Sequence, residues 1–372
     1  MRFWSKPICD KLDATFDTTC LEGLTPPLLI LANHASEKDV HLVSRALKAY
    51  TCNFIVAENF LARHRHILNA VGALTKRQFT PNIKLVKQIK SLCDKSAVVT
   101  LYPEGRLSCD GRTSHIPMSI AKLVKFLGVT TVAIKCQGGY LHYNKWCKIN
   151  RTSKIKCEAN IIAYAEELSN LDIDVIYDKI INSLSYDEYK YQQENKIKVD
   201  RPAYNIHTVL YKCLNCGSEF NMTSDDNLIK CNSCGKIYAM DSYGVISNGL
   251  DRLSFTEWYD KQKDSVRSQI QADKYCFEDD CLISQTINNK FASKVKGKVK
   301  HDIRGFTLFL NGDELHFNSN GMYSLSYEPN NCFYLSKDNV YKIIPINKAM
   351  QITKVALAVE EIFALNQANK VK

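Results

Sequence analysis

Two short blocks carry the residues best suited to chemistry. In the first, His34 follows Asn33 at the end of an apolar run, and Asp39 comes five positions later. An imidazole held by a carboxylate one helical turn away has a fixed tautomer, and its imidazolium is stabilised when the ring takes a proton, which is general-base chemistry. No serine or cysteine lies in an elbow motif, so the histidine would have to activate a hydroxyl belonging to the substrate. A satisfied structural histidine is the competing reading. In the second block, Tyr102-Pro103-Glu104-Gly105-Arg106-Leu107-Ser108 follows another apolar strand. Proline and glycine stop that strand abruptly, glycine lets the backbone approach a ligand, and Glu104 and Arg106 are left at the sheet's end.

A third constellation is built from cysteine. Cys213-Leu-Asn-Cys216-Gly217 and Cys231-Asn-Ser-Cys234-Gly235 each place two thiols on a tight turn followed by glycine, the residue that tolerates positive φ. Two such pairs point at one ion, and the sequence predicts a structural zinc ribbon, with four scattered thiols as the alternative. Cys276 and Cys281 have no partner ligands nearby in sequence and read as ordinary thiols.

The elements that must position the first two blocks alternate. Leu28 to Leu31, Asn53 to Val56, Ala97 to Leu101, Thr130 to Lys135 and Glu158 to Ala163 read as strands. Val40 to Ala49, Ile83 to Leu92 and Ser119 to Phe126 carry helical spacing. Alternation of this kind predicts an α/β layered domain with a mainly parallel sheet, whose strand ends are where reactive groups sit. The polar stretch from Ser185 to Pro202 reads as a linker or exposed helix. The expected organisation is therefore an α/β domain over 1–200, a zinc ribbon over 205–245 and a β-rich module over 246–372. Within the last, Asn311-Gly312 marks a hairpin, Met322 to Tyr327, Cys332 to Leu335 and Val340 to Ile344 read as strands, and a helix closes the chain.

The 372 residues are 45% hydrophobic and 24% charged, which excludes a disordered or fibrous chain. No apolar run approaches the roughly 20 residues that cross a bilayer, and the first twenty residues lack a signal-peptide core, so the cysteines are expected in a reducing compartment. Net charge is +10. Residues 51–150 hold fifteen Lys and Arg against four acids, so the positive field has one home. Nucleic acid, anionic lipid and a phosphorylated substrate are its natural partners, and a solvated basic face is the plain alternative. Phe60, Leu61, Ile67, Leu68, Val71 and Leu74 recur near helical spacing beside Arg63, His64, Arg65 and His66, a pattern that suits either a headgroup layer or packing on the sheet.

Taken in order, these blocks resemble the 1-acylglycerol-3-phosphate acyltransferase family of glycerolipid acyltransferases. Asn33-His34 with Asp39 matches its Asn-His-x4-Asp block. Gly72-Ala-Leu-Thr-Lys-Arg77 is similar to its second block, Tyr102 to Ser108 to its Phe-Pro-Glu-Gly-Thr-Arg-Ser block, and Val132 to Gly138 to its fourth. Here Arg106-Leu107 replaces Thr-Arg, the fourth block lacks its common proline, and the N-terminal hydrophobic segment of many members is missing.

The resemblance implies an enzyme that moves a fatty acyl group from an acyl-CoA or acyl-carrier-protein thioester to the free hydroxyl of 1-acylglycerol 3-phosphate. His34 and Asp39 would be the base and its orienter. Arg77 would hold the acceptor's phosphate, Glu104 and Arg106 its glycerol end, and amides near Gly105 the oxyanion. Such a chain is expected in the cytoplasm, peripheral at the inner face of the membrane and drawn to its anionic surface. Another lysophospholipid acceptor, or a non-catalytic zinc-ribbon protein that binds nucleic acid, are the alternatives.

Overall fold

The computed structural model describes residues 2–60, 68, 72–80, 82–249, 251–288 and 290–371. It divides into two compact units, one of residues 1–57, 64–76 and 82–199, the other of 58–63, 77–81 and 200–372.

The first unit is built on seven strands: β1 (Ala14–Asp17), β2 (Leu28–Ala32), β3 (Cys52–Ala57), β4 (Leu74–Lys76), β5 (Val98–Leu101), β6 (Thr130–Gln137) and β7 (Ile155–Ala163). Their order in the sheet is β1-β7-β6-β2-β5-β3-β4. All neighbours pair in parallel except β6 and β7. Every residue of β2 and β5 is buried, because both faces of the sheet are covered, and a parallel strand in that position needs a continuous apolar run. Side chains alternate across β2. Leu29 and Leu31 enter one core with Leu85 and Ile89 of the helix Ile83–Cys93, Ile120 and Val124 of Ser119–Leu127, and Ile176 and Ile180 of Ile173–Leu184. Leu28, Ile30 and Ala32 enter the other with Leu42 and Val43 of the helix Asp39–Ala46. In the first three of these helices the i, i+4 spacing of the named residues gives one apolar face for the sheet, and in Asp39–Ala46 the adjacent Leu42 and Val43 share it with Ala46.

The stretch from Ser185 to Pro202, expected as a linker or exposed helix, does hold a helix, Glu188–Glu194, but not an exposed one, for Glu188, Tyr189 and Gln192 are buried within the first unit. Its charge pattern hid this, since a carboxylate that enters a core to meet a backbone amide looks in sequence like one that faces water.

In the second unit, β8 (Met222–Asp225), β9 (Leu228–Cys231), β10 (Ile237–Met240), β11 (Val245–Ser247) and β12 (Arg252–Ser254) form an antiparallel sheet that carries the cysteine turns. A helix absent from the sequence reading, Phe255–Gln271, then opens with a capping box from Ser254 and Glu257. It packs against the predicted closing helix, Ile352–Val371. An eight-stranded antiparallel sheet completes the unit. Its hairpin joins Gly305–Leu310 to Asp313–Asn318 through Asn311 and Gly312, both at positive φ, as a type I′ turn requires. Met322 to Tyr327 is a strand only from Ser326, because Met322 and Tyr323 are engaged in turn hydrogen bonds. The basic amphipathic stretch of Arg63 to Val71 lies, apart from Leu68, outside the described residues.

Candidate active site

The sheet order sets β2 between β5 and β6, so the loops leaving these three strands meet above their carboxyl ends. The His34–Asp39 loop leaves β2. Asp39 opens the following helix, and its Oδ2 turns back to accept hydrogen bonds from the amides of Ala35 at 2.7 Å and Ser36 at 2.8 Å. The same oxygen lies 3.2 Å from His34 Nδ1. A five-residue spacing is therefore what allows one carboxylate to close the loop and hold the ring. Asp39 has no exposed surface, whereas the His34 side chain keeps 24% of its own, so the ring is fixed on one edge and reachable on the other. Tyr102, at the end of β5, stacks on the imidazole with ring centroids 4.2 Å apart.

Glu104 lies beneath this pair. It is fully buried, and its Oε1 accepts the backbone N–H of His34 at 2.8 Å, while Oε2 accepts the Ser114 N–H at 2.7 Å and the Tyr186 hydroxyl at 3.2 Å. Burial raises its carboxyl to about 7, against the opposing pull of the Ser114 and His34 amides, the Arg106 charge and the Tyr186 hydroxyl. Glu104 was expected at the acceptor's glycerol. Its oxygens are instead occupied by protein donors, so its direct partner is the histidine's backbone. Arg106, also expected there, is itself only 8% exposed. The Gly105 amide, expected at an oxyanion, donates to the Tyr102 carbonyl at 3.1 Å and closes the turn, with Gly105 at φ 71°.

Three further residues frame the site: Asn33 and Gly138 stand in the sequence blocks without a role assigned there, and Gly139 was not singled out. Asn33 bonds Cys136 of β6 in both directions, its Nδ2 to the carbonyl at 2.8 Å and its Oδ1 from the amide at 2.7 Å, extending the β2–β6 ladder by a side chain. Gly138 ends β6 at φ 85°, where a Cβ would stand 2.0 Å from the Lys154 carbonyl, and its amide donates to Glu188 Oε2 at 2.7 Å. The paired glycines after a strand were the available signal. Gly139 packs so closely on Asp39 that a Cβ there would lie 3.3 Å from Oδ1. Arg77 belongs to the second unit, directly after β4, and its Nε donates to Glu58 Oε2 at 2.9 Å.

The cysteines form a separate centre. The Sγ atoms of Cys213, Cys216, Cys231 and Cys234 all lie within 4.8 Å of one another and could hold a metal ion. Gly217 and Gly235 both take φ 74° and return their amides to the carbonyls of Cys213 and Cys231, so the two turns share one geometry. The Lys236 amide and Asn215 pull the Cys234 thiol down to about 6.

Comparison with known proteins bears on the first centre. Residues 17–137 match the family described as Acyltransferase. No curated protein matches the sequence. Four chains of known structure match, among them the 1-acyl-sn-glycerophosphate (LPA) acyltransferase PlsC from Thermotoga maritima, at a TM-score of 0.41 and 14% identity, over 49% of this chain and 75% of that one.

Proposed function

We propose that the acyltransferase-family domain carried by this chain transfers a fatty acyl group from an acyl-CoA or acyl-carrier-protein thioester to the free hydroxyl of 1-acylglycerol 3-phosphate. The observation that carries the reading is the half-open dyad, with the His34 ring held by buried Asp39 and stacked on Tyr102 yet accessible from outside.

With Nδ1–H donated to Asp39, Nε2 is the basic nitrogen and takes the proton of the acceptor's hydroxyl as its oxygen attacks the thioester carbonyl. The new C–O bond forms, the C–S bond breaks on collapse of the tetrahedral intermediate, and the imidazolium returns the proton to the departing thiolate. Asp39 stabilises that imidazolium without leaving its two amides. Glu104 acts through the His34 backbone as a positioning residue, and Arg106 balances its charge. For Arg77 the support for a phosphate-binding role is its sequence block, and a half-exposed guanidinium can exchange its pairing with Glu58 for a phosphate.

The four-cysteine centre takes zinc in this reading. Four thiolates at the roughly 2.3 Å Zn–S distance on a tetrahedron stand about 3.8 Å apart. That is the separation of Cys213 from Cys234 and of Cys216 from Cys231. A closed set of four ligands leaves no position for substrate, so the metal's part is structural. Among the described residues no helix is long and apolar enough to cross a membrane. The basic field of residues 51–150 would bring the protein to the anionic inner face of the membrane from the cytoplasm.

The test is incubation of the purified chain with labelled acyl-CoA or acyl-carrier protein and a panel of lysolipids. Transfer to 1-acylglycerol 3-phosphate is the expected result, and no transfer to any lysolipid from either donor overturns the reading.

A further inference from the structure

The segment that follows the family-matched residues reaches back into the catalytic centre. Tyr186 exchanges backbone bonds with the loop that leaves the Glu104 block, its carbonyl accepting the Thr113 amide at 3.3 Å and its own amide donating to Thr113 Oγ1 at 2.8 Å. Asp187 bridges to Arg112, and the Glu188 amide donates to the Gly111 carbonyl at 2.8 Å. This short zipper puts two donors side by side, the Ser114 amide and the Tyr186 hydroxyl, both on Glu104 Oε2. The other oxygen of that carboxylate holds the His34 amide.

We infer that Tyr186 is a positioning residue of the acyl-transfer site, acting through Glu104 on the backbone of His34. The inference rests on the catalytic reading of His34. The physical argument is one of rotation. A carboxylate held at one oxygen alone can swing about its last bond, and the His34 amide would swing with it. The Ser114 amide on the second oxygen limits that freedom, and the Tyr186 hydroxyl on the same oxygen, from a second direction, narrows it further. Tyr186 is buried, and burial with the Glu104 charge holds its hydroxyl well above the usual tyrosine range, so it stays a donor throughout the working pH range. The charged or titratable groups facing the pair are Arg106, Asp39 and Glu188. Removing the Tyr186 donor raises the pH at which Glu104 protonates, since that hydrogen bond favours the carboxylate.

The test is Tyr186→Phe in the full chain, which keeps the ring and deletes the oxygen. If the wild type transfers acyl groups, the variant is expected to lose about tenfold in kcat with KM for the acceptor little changed. The acid limb of its kcat profile should move to higher pH, and the His34 amide should exchange its hydrogen faster. Wild-type kcat with an unmoved acid limb overturns the inference and leaves the catalytic reading standing. Activity lost only in proportion to folded protein, again with the acid limb in place, also overturns it, because the residue would then be merely structural. An inactive wild type overturns the catalytic reading and this inference with it.

Discussion

Glu104 Oε1 accepts the backbone N–H of His34 at 2.8 Å, joining two blocks that stand seventy residues apart in sequence. Because β2 and β5 are neighbours in register, with Leu31 opposite Leu101, the chain leaves both strands at the same height and the bond closes across their ends. His34 is thus held twice, by Asp39 at its ring and by Glu104 at its backbone.

Loss of the base is the first expectation. His34→Ala should lower kcat by about 10² to 10⁴, the usual worth of a general base, with a melting curve close to the wild type's. Asp39→Asn keeps an oxygen for the Ala35 and Ser36 amides and removes the charge, so it should fold and turn over slowly. Asp39→Ala leaves both amides without their acceptor and should also cost about 1–3 kcal/mol of stability for each. Steady-state kinetics beside thermal melts separate the three, and near wild-type turnover in folded His34→Ala would sink the mechanism.

Stability should depend on pH through Glu104. Its carboxyl ionises near 4.5 in the unfolded chain and, because of burial, at about 7 in the folded one. A raised acid pKa means that the protonated form favours the fold. The contribution is full below about 4.5 and lost as pH rises through about 7, an effect on the order of 3 kcal/mol. Glu104→Gln cannot titrate, so its melting temperature should change less between pH 5 and pH 8 than the wild type's. Parallel curves for the two proteins would contradict the assignment.

Glu188 offers a sharper comparison. Burial pushes this carboxyl well above the usual range, and glutamine is nearly the isostere of its protonated form. Glu188→Gln retains an acceptor for the Gly138 amide and should cost under about 1 kcal/mol. Glu188→Leu leaves that amide unpaired in a dry site, at a cost of about 1–3 kcal/mol. Denaturant titrations of the two variants give the difference directly, and equal losses would show that the hydrogen bond is not what matters.

Metal should be stoichiometric and tied to folding. Native mass spectrometry is expected to find one zinc per chain, absent from Cys216→Ser with Cys234→Ser. A strong chelator should unfold the ribbon strands β8 to β12 before the seven-stranded sheet, since binding to a four-thiolate site is linked to folding. Retention of the metal by the double variant would remove these cysteines as its ligands.

Binding to vesicles should follow charge. Each Lys or Arg near an anionic surface contributes about 1 kcal/mol, screened over roughly 10 Å at 0.1 M salt. Anionic liposomes should therefore sediment the protein far better than neutral ones, and moderate salt should release it. Equal partition onto both would place the basic field on the substrate's phosphate or the thioester carrier instead.

What the sequence determined by itself is what short spacing controls. The five-residue step from His34 to Asp39 makes a loop that one carboxylate can close, the Cys-x-x-Cys-Gly turns bring paired thiols together, and Asn311-Gly312 makes its hairpin. The apolar runs of β2 and β5 announced a doubly covered sheet for the same reason, since burial on both faces leaves no alternation to read. Only the tertiary structure decided which distant groups surround the dyad. The order β6-β2-β5 delivers Cys136 to Asn33 and Glu104 to His34, and a stretch whose sequence looks solvated supplies Tyr186, just before the helix Glu188–Glu194, and Glu188 at its start. A buried carboxylate is recognised by the donors that meet it, and most of those donors are backbone amides, which every sequence possesses and none displays.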